Sequence, residues 1–328
     1  MTRPRSEVIP EGSRGVFHVV TRCVRRERLL EHGERKQWLC RGLGSWLRHM
    51  GIDLLAYSVM DNHLHLVLRL RPDVVAGWSQ VEVARHALSV LPVRSGPGLK
   101  PLSVTSALVE RYAGNSAWIA VQRSRLSSPS WLLRLVKQEV SRRANAEDGC
   151  TGNFWEKRFT GVALLDAAAI LACMVYVDLN PLRAGMVKEP ESSLFTSIRH
   201  RVARVRAGVR GDHEADDGDL GVQLVAMPNC APPNEQTGVQ GRWTISEGDY
   251  LDMVDETARH MVAGKRGVMS SHALPLVERL GIRPEAWLAT MKEGGSMLGS
   301  ALGGPEARKR WAESRGQRWA SDKSGLWE

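Results

Sequence analysis

The sequence predicts an α+β protein built on a ferredoxin-like split βαβ unit, an antiparallel sheet with helices on one face. Three observations predict it: short apolar runs with strand-like alternation, longer segments with helical periodicity, and the order in which the two occur. That order is strand, helix, two strands, helix, strand, which is the order of the split βαβ unit.

The first half of the unit lies in residues 16–70. A strand is predicted over residues 16–24. An amphipathic helix is predicted over residues 31–50, because its apolar residues recur at helical spacing: Trp38, Leu39, Leu43, Trp46 and Leu47. Residues 52–60 and 63–70 then form a predicted hairpin around Asp61 and Asn62.

The second half begins with a predicted helix over residues 131–146, followed by a strand over residues 159–165. This strand leads into an apolar, alanine-rich helix that starts after Asp166, a favourable N-cap residue. Pro181 disfavours helical geometry at Asn180, so we expect the helix to end there.

Three regions follow from the changes in composition along the chain. The main domain is predicted over residues 12–200, with a mostly helical insertion at about 72–130 that has a break at residues 96–98. Residues 201–243 are predicted as a charged helix and linker, and residues 244–328 as a small helical region. The arginines at 199–210 fit either a solvated helix or a helix that tracks phosphates, and both interpretations stay open.

Composition narrows the class of partner. The chain has 328 residues, a formal net charge of +9 and a pI near 9.6, which favours a polyanionic partner. Its five cysteines form no Cys-x-x-Cys pair, which favours a reducing, cytoplasmic setting over a zinc ribbon or a disulfide framework. The most apolar stretch, residues 167–177, is too short to span a membrane and predicts a buried helix.

His63-Leu64-His65 is the first candidate site. Side chains alternate along a strand, so the two imidazoles project from the same face while Leu64 points to the other. Two imidazoles held on a rigid strand can bind a metal ion. The alternative is that both rings simply lie on an exposed face and bind water.

Tyr176 and Asn180 form the second candidate site. They are four residues apart at the end of the predicted apolar helix and therefore share a face. The alternative is a half-buried tyrosine with its hydroxyl in water, beside an asparagine that forms a turn before Pro181.

These residues resemble a known family, the REP-associated tyrosine transposases of the single-tyrosine HUH group. Residues 60–66 resemble the family's Met-x-Asn-His-x-His-hydrophobic run. Residues 176–185 are similar to its Tyr-hydrophobic-x-hydrophobic-Asn-Pro-hydrophobic-Arg-Ala-Gly run. The block at residues 152–159 and the strand at residues 17–22 also resemble the family. Two departures are Asp61, which adds a carboxylate beside the histidines, and the long segment from about 72 to 130.

The resemblance implies a metal-dependent nickase and strand transferase that acts on single-stranded DNA with hairpin-forming palindromic repeats. Tyr176 would be the nucleophile that forms a covalent 5′-phosphotyrosine. His63, His65 and Asn180 would be the metal ligands, a nitrogen and oxygen set that suits Mn²⁺ or Mg²⁺. Candidate DNA contacts are Arg22, Arg25, Arg26, Phe154, Trp155, Lys157, Arg158 and Arg183.

Two other functions fit parts of the same pattern. One is a catalytically silent protein that binds single-stranded DNA or RNA on the same fold, although retention of both the tyrosine and the histidines favours activity. The other is a metal-dependent enzyme of an unrelated class. Phe154 and Trp155 can equally stack on a base or pack in the core. The sequence does not distinguish a monomer from a dimer.

Overall fold

The computed structural model describes residues 8–95, 100–156, 158–210, 220–230, 243–261, 278, 282–293, 299–318, 320 and 325–327. Its strands are β1 (Gly15–Arg22), β2 (Ile52–Val59), β3 (His63–Leu70), β4 (Arg94–Ser95), β5 (Lys100–Pro101), β6 (Thr160–Leu164) and β7 (Ala301–Leu302). Its helices are α1 (Gly33–Leu47), α2 (Pro72–Gly77), α3 (Gln80–Val90), α4 (Ser106–Ala113), α5 (Ser116–Leu126), α6 (Pro129–Glu147), α7 (Ala167–Asp178), α8 (Asn180–Arg183), α9 (Ser197–Arg210), α10 (Glu247–Met261), α11 (Pro284–Glu293) and α12 (Pro305–Glu313).

The main sheet has the strand order β2-β3-β1-β6-β7. β1 pairs antiparallel with both β3 and β6, and β2 pairs antiparallel with β3. The order of these four strands is that of the split βαβ unit, so the predicted α+β class is confirmed. β7 pairs parallel with β6 and comes from the C-terminal region, where the sequence predicted only helices.

Both faces of the sheet are covered. The two helices of the βαβ unit, α1 and α6, pack on one face against side chains of β1 and β3 such as Val19 and Leu66. The sequence predicted helices on one face of the sheet only. The helices α1 and α6 lie on that face, but the opposite face is covered by α7. Residues 168–178 of α7 are all buried, because the sheet lies on one side of the helix and α10 and α11 supply side chains to the same core.

The insertion predicted at about 72–130 consists of α2–α5 and the short β4–β5 ribbon. The insertion is attached to the open end of the β2–β3 hairpin, away from the turn that carries His63. There the Gly51 amide donates to the Leu126 carbonyl at 2.9 Å. Within the insertion, Arg123 of α5 donates to the carbonyl oxygens of Val75 in α2 and of Trp78, which follows α2. The predicted break at residues 96–98 lies outside the described residues.

No helix in the described part of the chain is both long enough and apolar enough to cross a membrane.

Candidate functional site

The pairing of β1 with β3 brings three histidines together. His65 lies opposite Val20 and His63 lies opposite Arg22, so His18, His63 and His65 project from the same face of the sheet. The Nε2 atom of His18 is 2.9 Å from the Nδ1 atom of His65, and the two rings stack with centroids 5.1 Å apart. The ring of His63 is 4.7 Å from that of His65, centroid to centroid.

Helix α7 brings Tyr176 onto this histidine face. Its ring centroid lies 5.8 Å from that of His65 and 6.0 Å from that of His18, close to perpendicular to both. The Asp166 carboxylate accepts a hydrogen bond from the Ala169 amide at 2.8 Å, which confirms the predicted N-cap of this helix. Two motifs that lie far apart in the chain therefore meet in one cluster.

The turn between α7 and α8 positions Asn180 and Arg183. Helix α7 ends at Asp178 rather than at Asn180, and Asn180 begins the short helix α8, so the prediction that Pro181 disfavours helical geometry at Asn180 is wrong: the proline is accommodated in the first turn of α8. The Asn180 side-chain amide donates to the Tyr176 carbonyl at 2.9 Å. The Nη2 atom of Arg183 donates to the Tyr176 hydroxyl at 3.2 Å and to Oδ1 of Asn180 at 2.5 Å. Arg183 thus links the candidate nucleophile to the candidate third ligand.

Burial keeps these histidines neutral at pH 7. It lowers the pKa of His18 to about 3 and that of His63 to about 4, and it lowers the pKa of His65 as well. The charges of Arg22 and Arg183 lower the pKa of His63 further. Burial raises the pKa of Tyr176, and the Arg183 charge partly offsets that effect. Two cations therefore face a neutral cluster, which creates a positive potential suited to an anion.

The hydrogen-bond partners of His63 and His65 fit a metal site. Nδ1 of His63 lies 2.5 Å from the Asn62 side-chain oxygen, an acceptor, so Nδ1 carries the proton and Nε2 keeps its lone pair. Nδ1 of His65 has His18 as its partner, whereas its buried Nε2 has none. Buried polar atoms are normally paired, and metal-bound histidines are usually oriented in this way by their second nitrogen.

Asn180 is the candidate third ligand that lies nearest to Tyr176 in the chain. The described residues contain no group of three or more His, Cys, Asp or Glu side chains placed to hold a metal ion. Asn180 is fully buried next to Tyr176, and its Oδ1 already accepts a hydrogen bond from the positively charged Arg183. Amide oxygens are ligands that hard divalent ions accept, but Arg183 has to release this oxygen before it can bind a metal ion.

Asp61 does not supply a free carboxylate to the histidines. Its Oδ1 is 2.7 Å from the ammonium of Lys36, and its Oδ2 is 2.5 Å from the guanidinium of Arg28. The carboxylate therefore holds the hairpin turn against α1 and the segment before it.

The predicted basic DNA contacts lie in three places. Arg22 is half-buried beside His63, and its charge lowers that residue's pKa. Arg25 and Arg26 are exposed, with left-handed φ angles of 54° and 59°, and the Asn62 side chain donates to the Arg26 carbonyl at 2.9 Å. Arg158 is exposed but lines a different cleft of about 500 Å³ with Ser13 and Trp131. Lys157 lies outside the described residues.

Phe154 and Trp155 pack in the core. They are 3% and 5% exposed, their rings contact each other at 5.1 Å, and the Trp155 indole donates to the Lys137 carbonyl at 3.2 Å. Core packing, the second interpretation of these residues, is the arrangement that the structure has.

A second buried polar network lies on the other side of the last turn of α7. Asp178 accepts hydrogen bonds from the Tyr250 hydroxyl at 2.6 Å and from the Ser197 hydroxyl, and burial raises its pKa to about 6. Arg201, at the base of the basic helix, is fully buried and pairs with Glu247 at 2.8 Å. This arginine is therefore structural, and it is not on a solvated or phosphate-tracking surface.

Sequence reasoning missed the roles of His18 and Asn62. Both lie in the segments that carried the resemblance, but their contacts with His65 and His63 depend on strand register and side-chain rotamer. The alternation of side chains along β1 predicts which face of the sheet His18 lies on, and this was the signal in the sequence for its contact with His65.

Comparisons with known proteins give little beyond this. No protein-family model and no curated protein matches the sequence. Among solved structures, the chain is similar to a REP-associated tyrosine transposase bound to a REP hairpin, with 17% identity and a TM-score of 0.37. The match covers 69% of this chain and 100% of that one. So low a similarity supports no inference about function.

Proposed function

We propose that this protein is a metal-dependent nickase and strand transferase for hairpin-forming single-stranded DNA, acting through a covalent 5′-phosphotyrosine at Tyr176. The observation that supports it is the position of the Tyr176 hydroxyl, which contacts Arg183 at 3.2 Å. Beside it lie His63, whose Nε2 keeps its lone pair, and His65, whose buried Nε2 has no hydrogen-bond partner among the described residues. A nucleophile, a cation and candidate metal ligands are the groups that phosphodiester cleavage needs.

His63, His65 and Asn180 would hold the divalent ion, Mg²⁺ or Mn²⁺. When bound, such an ion supplies Lewis-acid polarisation of the phosphate oxygens. The three ligands carry no charge of their own. Arg22 and Arg183 add positive charge, so the site attracts and orients the phosphate.

In the cleavage step, Tyr176 releases its phenolic proton to water and its oxygen bonds to phosphorus. The bond from phosphorus to the 3′ oxygen breaks, and that oxygen takes up a proton to leave a 3′-hydroxyl. Burial raises the pKa of Tyr176, so the phenolate needs a stabilising partner, and the Arg183 guanidinium donates to it directly. The phosphotyrosine retains the energy of the broken bond, so attack by another 3′-hydroxyl rejoins strands without ATP.

The test uses labelled hairpin oligonucleotides with single-stranded flanks, drawn from repeats beside the protein's own gene. They are incubated with the full chain in Mn²⁺, Mg²⁺ or EDTA and resolved on a denaturing gel. We expect a covalent protein–DNA adduct that requires the metal and disappears in Tyr176→Phe.

Tyr112→Phe is the matched control. Tyr112 is half-buried in α4 and its ring contacts Trp118 at 4.8 Å, so this variant also removes one hydroxyl but far from the histidines in sequence and fold. It should form the adduct as the wild type does. DNA binding with no adduct under any metal condition would refute the enzymatic proposal in favour of a silent binding protein.

A further inference from the structure

A groove of about 540 Å³ begins at Arg183 and extends to the C-terminal region. Its lining residues come from α8, the loop that follows it, α10 and α11: Leu182, Arg183, Val187, Lys188, Met261 and Lys292. The two lysines and Arg183 are exposed, whereas the three apolar side chains are half-buried.

The groove is electropositive. None of its described lining residues is acidic, and no ion pair within the described part of the chain engages Lys188 or Lys292. Three cations without counter-ions around one depression favour a ligand with repeated negative charge.

The groove is also continuous with the candidate active site. Arg183 lines it and at the same time donates to the Tyr176 hydroxyl. A polyanion lying in the groove would therefore meet the site at the residue that contacts the nucleophile.

We infer that this groove binds the single-stranded DNA segment next to the scissile phosphate, with Lys188 and Lys292 on its phosphates. The inference rests on the proposed function and assigns a role to the C-terminal region, which supplies Met261 and Lys292. The half-buried Leu182, Val187 and Met261 favour a single strand, because unpaired bases can pack against apolar side chains whereas duplex bases are hidden in the stack.

The experiment compares two probes by fluorescence anisotropy in EDTA, at several salt concentrations, with the full-length protein. One probe is a hairpin with single-stranded flanks of about ten thymidines, within the range of known single-strand site sizes. The other is the same hairpin without flanks. The variant is Lys188→Gln/Lys292→Gln, and the control is Lys100→Gln/Lys309→Gln, which removes two exposed lysines outside the groove.

Each phosphate contact on a single strand contributes about 0.7 to the salt slope, so it is worth roughly fivefold in affinity at about 0.1 M salt. We expect the groove variant to bind the flanked probe about 25-fold more weakly, with a salt slope lower by about 1.4. Its affinity for the hairpin without flanks should match that of the control variant, which also verifies that it is folded.

Equal losses on both probes, or no loss on the flanked probe, would overturn the inference. Failure of the wild type to bind either probe would overturn the proposed function as well. A wild type that forms the Tyr176 adduct while the groove variant binds the flanked probe normally would overturn the groove alone.

Discussion

Two buried polar clusters flank the last turn of α7, and they are built differently. In the Asp178 cluster both carboxylate oxygens accept hydrogen bonds, and the buried Arg201 is paired with Glu247. In the Tyr176 cluster the buried Nδ1 of His18 and Nε2 of His65 have no hydrogen-bond partner among the described residues. Leaving a buried polar atom unpaired costs about 1–3 kcal/mol. The Asp178 cluster bears this cost as well, because Nε of Arg201 has no partner among the described residues, so unpaired atoms alone do not separate the two clusters.

The two clusters do differ in their charges. The Asp178 cluster contains carboxylates of its own, whereas the Tyr176 cluster has Arg22 and Arg183 at its edge and no carboxylate that pairs with them in the described structure. The charges of the Asp178 cluster are therefore paired within the protein. The Tyr176 cluster can instead bind a cation at its histidines and an anion at its arginines. Substitutions in the two clusters should consequently affect different properties.

The largest effect is expected at Arg183. Arg183→Gln removes the donor to the Tyr176 hydroxyl and should slow formation of the covalent adduct by about 10²–10³-fold, the usual cost of one such donor. The melting temperature should change little, since the side chain is exposed. Single-turnover gel assays measure the rate. Arg143→Gln, which also removes an exposed arginine that lies over an aromatic ring, is the control; an equal rate in both variants would contradict the assignment.

His18 should act on the metal through His65. His18→Leu removes the partner of His65 Nδ1 and should weaken Mn²⁺ binding by about 10–100-fold, with partial recovery in His18→Gln. Isothermal titration calorimetry of the DNA-free protein measures it. His200→Leu is the control: it removes another buried histidine, which lies outside the Tyr176 cluster and contacts the Tyr57 hydroxyl at 2.9 Å. Weakened Mn²⁺ binding in that control alone would reverse our assignment of the two clusters.

In the Asp178 cluster the expected loss is in stability. Tyr250→Phe deletes one hydrogen bond to a buried carboxylate and should lower the free energy of unfolding by about 1.5–3 kcal/mol, with Mn²⁺ affinity unchanged. Urea denaturation measures the first quantity and calorimetry the second. Tyr112→Phe, at a half-buried position, should lose much less. If Tyr250→Phe changed metal affinity without changing stability, the network would be part of the site.

The last prediction separates the clusters by the sign of their pH dependence. The pKa of His63 falls from 6.5 unfolded to about 4 folded, so the stability that depends on its neutral form is intact above pH 6.5 and is lost as the pH falls towards 4. The slope is about 1.4 kcal/mol per pH unit for one proton. The pKa of Asp178 rises from 3.8 to about 6, so its contribution has the opposite sign and increases as the pH falls from 6 to 3.8.

Urea denaturation in EDTA at steps between pH 4 and 7 tests both signs. His63→Gln should flatten the acid-side loss of stability, and Asp178→Asn should steepen it. If the free energy of unfolding depended on pH in the same way in both variants, the prediction of opposite signs for the two clusters would be wrong.

The parts of the molecule that were predicted from sequence are those set by local rules. Strand alternation placed His63 and His65 on one face, and the N-cap residue Asp166 set the start of α7. The order of the four strands also followed, because strand, helix, two strands, helix, strand is the order of the split βαβ unit. The first helix was predicted to extend to residue 50 but ends at Leu47, since helix ends depend on the chain that packs around them.

The remaining features depend on contacts between distant segments. β7 has only two residues, too few for a periodic signal, and Gly303 permits its approach: a Cβ there would lie 2.9 Å from that of Leu165. The burial of Trp155 depends on α6, and the partners of Asp61 come from α1 and the segment before it. The contact between Arg183 and Tyr176 required the turn after α7, whose side-chain geometry no local pattern specifies.

The parallel strand β7 has a consequence for how the chain is made. β6 has β1 as one neighbour, and its other edge is covered only when residues 301–302 pair with it. An uncovered strand edge is a template for association with other chains. While the protein is being synthesised, that edge stays open from the time β6 emerges from the ribosome until β7 does. The C-terminal region therefore covers this edge only in the completed chain, and this role of β7 is independent of any catalysis.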